Sequence, residues 1–123
     1  MPAELHESAE DYLKAILVIQ NKKGYVRSID VANQMNVSKP SVSYATKHLR
    51  ERGYITFNED GMILLTEAGD AVARKIFNRH QILTRFFVKL GVNEGQAEID
   101  AHKIEHDISE ETFLALQKHA ENL

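Results

Sequence analysis

Cysteine is absent from the chain, so neither a disulfide nor a thiolate metal ligand is available, and the redox compartment is left open. Long apolar runs are missing too, and none approaches the ~20 residues that a membrane-spanning helix needs. Met1 to Asp11 is acidic rather than a secretory signal, and a soluble cytoplasmic protein is the expectation. Nor is there an excess of positive charge. The formal net charge is −3, which would argue against a nucleic-acid partner if the charge were evenly spread.

It is not evenly spread. Between Ser38 and Arg52 four basic residues (Lys39, Lys47, Arg50, Arg52) stand against Glu51 alone. From Arg85 to Leu123 four basic residues face eight acidic ones. This asymmetry points to a basic working surface near the middle and a different task for the C-terminal part. With 123 residues, 43% of them apolar, the chain makes one compact unit, or two very small ones sharing a core, and is not disordered.

Helical spacing opens at Ser8, a plausible N-cap, with Leu13, Ile16, Leu17 and Ile19 as the apolar positions. The helix fades by Lys22–Gly24. Ser28 opens a second helix carrying Ile29, Val31, Ala32 and Met35. After a tight turn, Ser38 caps a third, with Pro40 in its first turn, where the missing N–H costs little. Val42, Ala45, Thr46 and Leu49 form its buried face, and Gly53 ends it. Its outward face is Ser41, Ser43, Tyr44, Lys47 and His48. This is a helix-turn-helix, with small and basic residues at the N-terminal end of the second helix, where base edges are met.

Two β-prone stretches, Tyr54–Phe57 and Met62–Leu65, flank the turn-forming Asn58-Glu59-Asp60-Gly61. A helix-turn-helix followed by a hairpin is a winged helix, here with an acidic wing tip. Thr66 then caps a long fourth helix to about Leu90 with a wide apolar stripe (Ala71, Val72, Ile76, Ile82, Leu83, Phe86, Phe87). A fifth helix is expected from about Glu94 to His106 and a sixth from Ser109 to near Ala120. The surplus apolar faces of these last three suit a dimerisation module, since helix-turn-helix proteins usually read two half-sites. The predicted fold class is mainly α: a winged helix-turn-helix over residues 1–72 and a helical metal-binding and dimerisation domain over 73–123.

Within the fifth helix, His102 and His106 fall one turn apart, and Glu105 lies three residues from His102. Two imidazoles and a carboxylate can therefore converge as donors for a borderline divalent cation such as Zn, Fe(II), Mn or Co. A solvated helix face would carry the same residues.

The order of elements resembles the iron- and manganese-dependent repressors of the diphtheria toxin repressor and manganese transport regulator family. Glu10-Asp11-Tyr12-Leu13, Ser38-Lys39-Pro40-Ser41-Val42-Ser43, Leu65-Thr66-Glu67-Ala68-Gly69, Arg79-His80 and Ile104-Glu105-His106 carry the resemblance, which covers nearly the whole chain in a short form without an SH3-like third domain. It implies metal ligands at Asp11, His80, Glu98, His102, Glu105 and His106. Asp11 stands where the manganese branch has aspartate, His102 where the branches have cysteine or glutamate, and Glu98 where the iron branch has a second-site histidine. Lys14 and Thr84 replace glutamates of the family, and an ammonium beside a cation argues against the usual binuclear manganese cluster.

The expected activity is metal-dependent repression of metal-uptake genes, with Mn(II) or Fe(II) as corepressor, Zn(II) or Co(II) also fitting the donors, double-stranded operator DNA as partner and a homodimer as the working form. No membrane and no small organic substrate are expected. Arg27, Ser38, Lys39, Pro40, Ser41, Ser43, Tyr44 and Lys47 are the candidate DNA contacts, with Lys39 and Lys47 assigned to phosphates. His6 is a possible extra ligand, His48 and His119 read as surface residues, and Arg50 and Arg52 as partners of Glu51 or a neighbouring acid. Two alternatives belong to other classes. One is a winged-helix factor with an organic effector; the other is a small zinc peptidase, because His102-x-x-Glu105-His106 has the spacing of a metalloprotease motif.

Overall fold

In the computed structural model, residues 7–121 are described, and His6 lies outside them. Among the described residues the order is α1 (Glu7–Lys23), α2 (Ser28–Met35), α3 (Lys39–Glu51), β1 (Ile55–Phe57), β2 (Ile63–Leu65), α4 (Glu67–Lys89), α5 (Glu94–Ile104) and α6 (Glu110–Ala120). The chain divides into two compact units, one up to Arg74 and one from Lys75 onward, and α4 begins in the first and continues in the second.

In the first unit α1 is the central helix. Tyr12, Leu13, Ala15, Ile16, Leu17 and Ile19 are all buried, a wider apolar face than one neighbour would need. Ser8 does not cap this helix: the helical turn already includes Glu7, and the acidic Glu7 and Glu10 complement the dipole from inside the first turn. Gly24, at φ +85°, closes the other end, a left-handed conformation that suits glycine.

The chain then runs through Val26, which is fully buried and whose carbonyl accepts a 2.7 Å bond from the Ile63 N–H on β2. At the start of α2, the Asp30 carboxylate accepts from the Arg27 N–H at 2.9 Å and from Lys23 Nζ at 2.7 Å. Val31 and Ala32 face the core, but Ile29 is 43% exposed. The apolar spacing alone assigns it inward; in an eight-residue helix only one narrow stripe meets α1 and α3, and Ile29 falls outside it. Asn36, in the left-handed region at φ 55°, ends α2. Ser38 Oγ caps α3 by accepting from the Ser41 N–H. Val42, Thr46 and Leu49 form the buried stripe of α3, and the Thr46 hydroxyl satisfies itself by donating to Val42 O at 2.8 Å.

The antiparallel hairpin pairs Ile55 with Leu65, Thr56 with Leu64 and Phe57 with Ile63. Ile55 and Ile63 are buried and Thr56 and Leu64 exposed, so one face covers the core, as period-2 alternation requires. In the wing turn the Asn58 side-chain oxygen accepts from the N–H groups of Asp60 and Met62. Thr66 donates to Gly53 O at 2.7 Å and accepts from the Gly69 N–H, tying the start of α4 to the end of α3. Gly69 is required by contact rather than by its own conformation: a Cβ there would lie 2.0 Å from Tyr54 O. Ala71, assigned to the apolar stripe of this helix, is exposed.

The second unit is centred on Leu83, Ala101 and Phe113, with Ile82, Phe87, Ile104, Ile108 and Leu116 packed around them. Ala97 and Ala101 are fully buried on α5. Asn93 and Ser109 cap α5 and α6 through side-chain oxygens. Val88, Leu90, Ile99 and Leu114 remain between 41% and 60% exposed.

Two stability outcomes follow from these contacts. Replacing Gly69→Ala drives the new methyl group against the Tyr54 carbonyl, and chemical denaturation should show a loss of roughly 1–3 kcal/mol; an unchanged midpoint would mean that the α4–Tyr54 approach relaxes freely. The Asp30 carboxyl is held below its ordinary value of 3.8, first by the Lys23 ammonium and then by the Arg27 N–H. Its folded value is therefore lower than its unfolded one, so its contribution is fully present above about pH 4 and fades as the pH falls toward the folded value. Asp30→Asn should be less stable than the parent at neutral pH, with the gap closing in acid; a gap that stays constant down to pH 2 would refute the linkage.

Candidate metal centre and nucleic-acid face

Glu105 is the residue on which the C-terminal unit converges. It follows the last turn of α5, with helical dihedrals (φ −61°, ψ −25°) and its N–H bonded to Ala101 O. α5 therefore ends before His106 rather than including it, and His106 stands in the turn that follows. The Glu105 side chain is completely buried. His80 Nδ1 lies 2.8 Å from its Oε2, while His102 Nδ1 and His106 Nε2 lie 3.3 and 3.5 Å from its Oε1. His106 is almost as deeply buried, with 2% of its side chain exposed, whereas His102 is 52% exposed. The i, i+3 spacing along α5 brings His102 to the carboxylate, and α4 supplies His80.

An ionised carboxylate taken out of water costs several kcal/mol unless cations or hydrogen-bond donors surround it. Three imidazoles answer that requirement. One donor atom each from His102, Glu105 and His106 lies within 4.8 Å of the others, which brings nitrogen and oxygen lone pairs together in the combination that borderline divalent cations favour. The donor set fits such a cation. An ionised Glu105 can only accept, and in that form its partner at 2.8 Å, His80 Nδ1, carries the shared proton.

His80 also lines a cavity of about 480 Å³ with Thr84, Glu94 and Glu98. Glu98 is exposed there, outside the convergent group of His102, Glu105 and His106. Asp11 is half-buried on α1 in the first unit, one turn before the half-buried Lys14.

Arg79, next to His80, is a residue whose part the sequence does not disclose. It is 5% exposed, and its guanidinium donates to Glu105 O at 3.2 Å, Ile108 O at 2.9 Å and the Glu110 carboxylate at 2.6 Å. That bond is the main reason the Glu110 carboxyl is held below its ordinary range. An arginine at a core position of the α4 stripe is the signal that could have found it, because arginine is rarely buried without dedicated partners.

On the first unit, Ser38, Lys39, Pro40, Ser41, Ser43, Tyr44 and Lys47 are all exposed. Tyr44, at 69% exposure, rests against the His48 ring with centroids 4.4 Å apart. Arg27 reaches the wing turn, donating to Asp60 O at 3.1 Å. Arg50 and Arg52 cover the rings of Phe57 and Tyr54, while His48 is the side chain 3.9 Å from Glu51. Lys39 and Lys47 are thus exposed, and the two exposed arginines lie over aromatic rings.

Residues 4–62 match the family model described as iron dependent repressor, N-terminal DNA binding domain, and residues 66–123 match the one described as iron dependent repressor, metal binding and dimerisation domain. The chain belongs to the iron-dependent repressor family. Within reach of that family, it is 35% identical over 121 residues to the transcriptional regulator MntR of Escherichia coli, covering 95% of this chain and 78% of that protein. Its fold is that of the protein described as T. acidophilum IdeR, with a TM-score of 0.80 at 26% identity over 97% of this chain and 55% of that one. A manganese-dependent transcriptional repressor solved with manganese gives 0.84 at 27% identity, over 92% of this chain and 52% of that one. The chain thus spans about half the length of these solved chains. The family consists of regulators rather than enzymes, which removes the peptidase reading; a Glu105 sealed among imidazoles also faces no open cleft as a general base would. No helix among the described residues is long and apolar enough to cross a membrane.

Proposed function

We propose that the protein is a metal-dependent transcriptional repressor of metal-uptake genes, working as a cytoplasmic homodimer on duplex operator DNA. The observation that carries this reading is the wholly buried Glu105 carboxylate set among His80, His102 and His106. His102, Glu105 and His106 are the ligands from the C-terminal unit, and Asp11 on α1 is the ligand from the DNA-binding unit. His80, which uses Nδ1 on Glu105, retains Nε2 as a donor, and Glu98 completes the proposed set. A divalent cation there would add positive charge beside the buried carboxylate. With oxygen and nitrogen donors and no thiolate, Mn(II) or Fe(II) is the proposed corepressor, and Zn(II) or Co(II) satisfies the same donors.

Drawing ligands from α1 as well as from α5 makes metal affinity depend on how the two units are arranged. The DNA-competent arrangement then gains population by no more than the ratio of its metal affinity to that of the alternatives. On DNA, Lys39, Lys47 and Arg27 are assigned to phosphates, Ser41, Ser43 and Tyr44 to the major groove, and Ser38 and Pro40 to setting the start of α3. The exposed apolar side chains Val88, Leu90, Ile99 and Leu114 support self-association of the C-terminal units, which would present two recognition helices to half-sites roughly one helical turn (~34–36 Å) apart.

The deciding experiment is a titration of chelated protein with Mn(II), anaerobic Fe(II), Zn(II) and Co(II), read as affinity for duplex DNA from its own promoter region. At least one cation should raise affinity tenfold or more (~1.4 kcal/mol of coupling), and His106→Ala should abolish the gain. Equal affinity with and without metal would overturn the proposal in favour of an organic effector. Lys47→Ala should weaken binding to all duplexes alike and reduce the salt dependence of log K by about one unit; an unchanged slope would remove Lys47 from the phosphate contacts.

A further inference from the structure

We infer that Arg79 is a positioning residue for the metal ligands: its guanidinium holds the segment 105–108 in the conformation that presents Glu105 and His106. The inference rests on the metal role proposed above. At the end of an α-helix the last carbonyls have no partner within the helix, and the ligand segment lies at such an end. α5 stops at Ile104, and the N–H groups of both Asp107 and Ile108 fold back onto Ile104 O. The Glu105 and Ile108 carbonyls, at the two ends of this segment, both accept from Arg79 Nη1. One rigid group therefore spans the turn that contains His106.

The guanidinium is itself fixed from several sides. Nη2 donates to Glu110 at the start of α6, and the planar group lies 5.1 Å from the centroid of the Phe113 ring. Among the described residues its Nε is buried without a partner. Keeping a charged group buried with one donor unsatisfied is unfavourable for stability alone, which points to a role in geometry. The neighbouring His80 holds the same glutamate by its carboxylate. Consecutive residues of α4 thus grip Glu105 at both ends, Arg79 by the main-chain carbonyl and His80 by Oε2. Lysine cannot reproduce this, because it offers a point charge in place of a planar fork. Metal affinity depends on ligands held ready before the cation arrives, and supporting hydrogen bonds of this kind contribute about 10–100-fold.

The test is Mn(II) affinity, measured on the full chain by competition with a fluorescent chelator, for the parent, Arg79→Met, Arg79→Lys and Leu116→Ala. Leu116 packs against the same core and reports what general destabilisation of this unit does to affinity. Arg79→Met should weaken Mn(II) binding by ~10–100-fold, Arg79→Lys should lie between it and the parent, and Leu116→Ala should lower the melting temperature with little loss of affinity. If Arg79→Met does not fold, the comparison of Arg79→Lys with Leu116→Ala decides. Arginine variants that bind Mn(II) within twofold of the parent, or lose no more than Leu116→Ala does, overturn the inference. A parent chain that takes up no Mn(II) in a His106-dependent manner instead overturns the functional reading beneath it.

Discussion

A carboxylate sealed from water is the constraint around which the C-terminal unit is arranged. Glu105 is fully buried, and an ionised oxygen pair in such a place demands partners on every open side. One comes from far away in the chain, His80 on α4, and two from close by, His102 one helical turn earlier and His106 in the following turn. The packing of Leu83, Ala101 and Phe113 excludes water nearby and so strengthens each of these interactions. The same low dielectric makes removal of any one partner costly. A site of this kind is well suited to gain from a bound cation, since positive charge there offsets a desolvation that the fold has already incurred.

The N-terminal unit solves a different problem. α3 must keep most of its circumference free for a partner and still be held firmly. Its buried stripe is accordingly narrow, limited to Val42, Thr46 and Leu49, and the polar member of that stripe bonds within its own helix. Rigidity comes from the neighbours: the Ser38 cap, the Thr66 hydroxyl bonded to Gly53 O, and the main-chain approach of Gly69 to Tyr54. Arg50 and Arg52 lie over the rings of Phe57 and Tyr54, and Lys39 and Lys47 stand exposed on the helix. Arg27 is bonded to the backbone of the acidic wing tip.

Much of this was legible in the residues because the deciding interactions are local. Ser38 with Pro40, Asn58 through Gly61, Thr66 and Ser109 each act on backbone groups two to four positions away, so caps and turns follow from short stretches. Residues at helical spacing likewise located α3 and the buried Val42, Thr46 and Leu49, while Ala45, assigned to the same face, is only half-buried. The convergence of His102, Glu105 and His106 was visible from spacing, although His106 turned out to stand past the end of α5 rather than within it.

Sequence by itself, then, determined the succession of helices and hairpin, the polar face of α3 and the residue types able to bind a metal, all of which depend on neighbours a few positions apart. Only the tertiary structure decided that Ile29 faces outward, that Gly69 is needed for a close main-chain approach, that Glu105 is fully enclosed and that Arg79 spans the turn beside it. The reason is physical. Burial of a charge and contact between main chains are properties of surfaces brought together from distant parts of the chain, and no local pattern of residues encodes which surfaces those are.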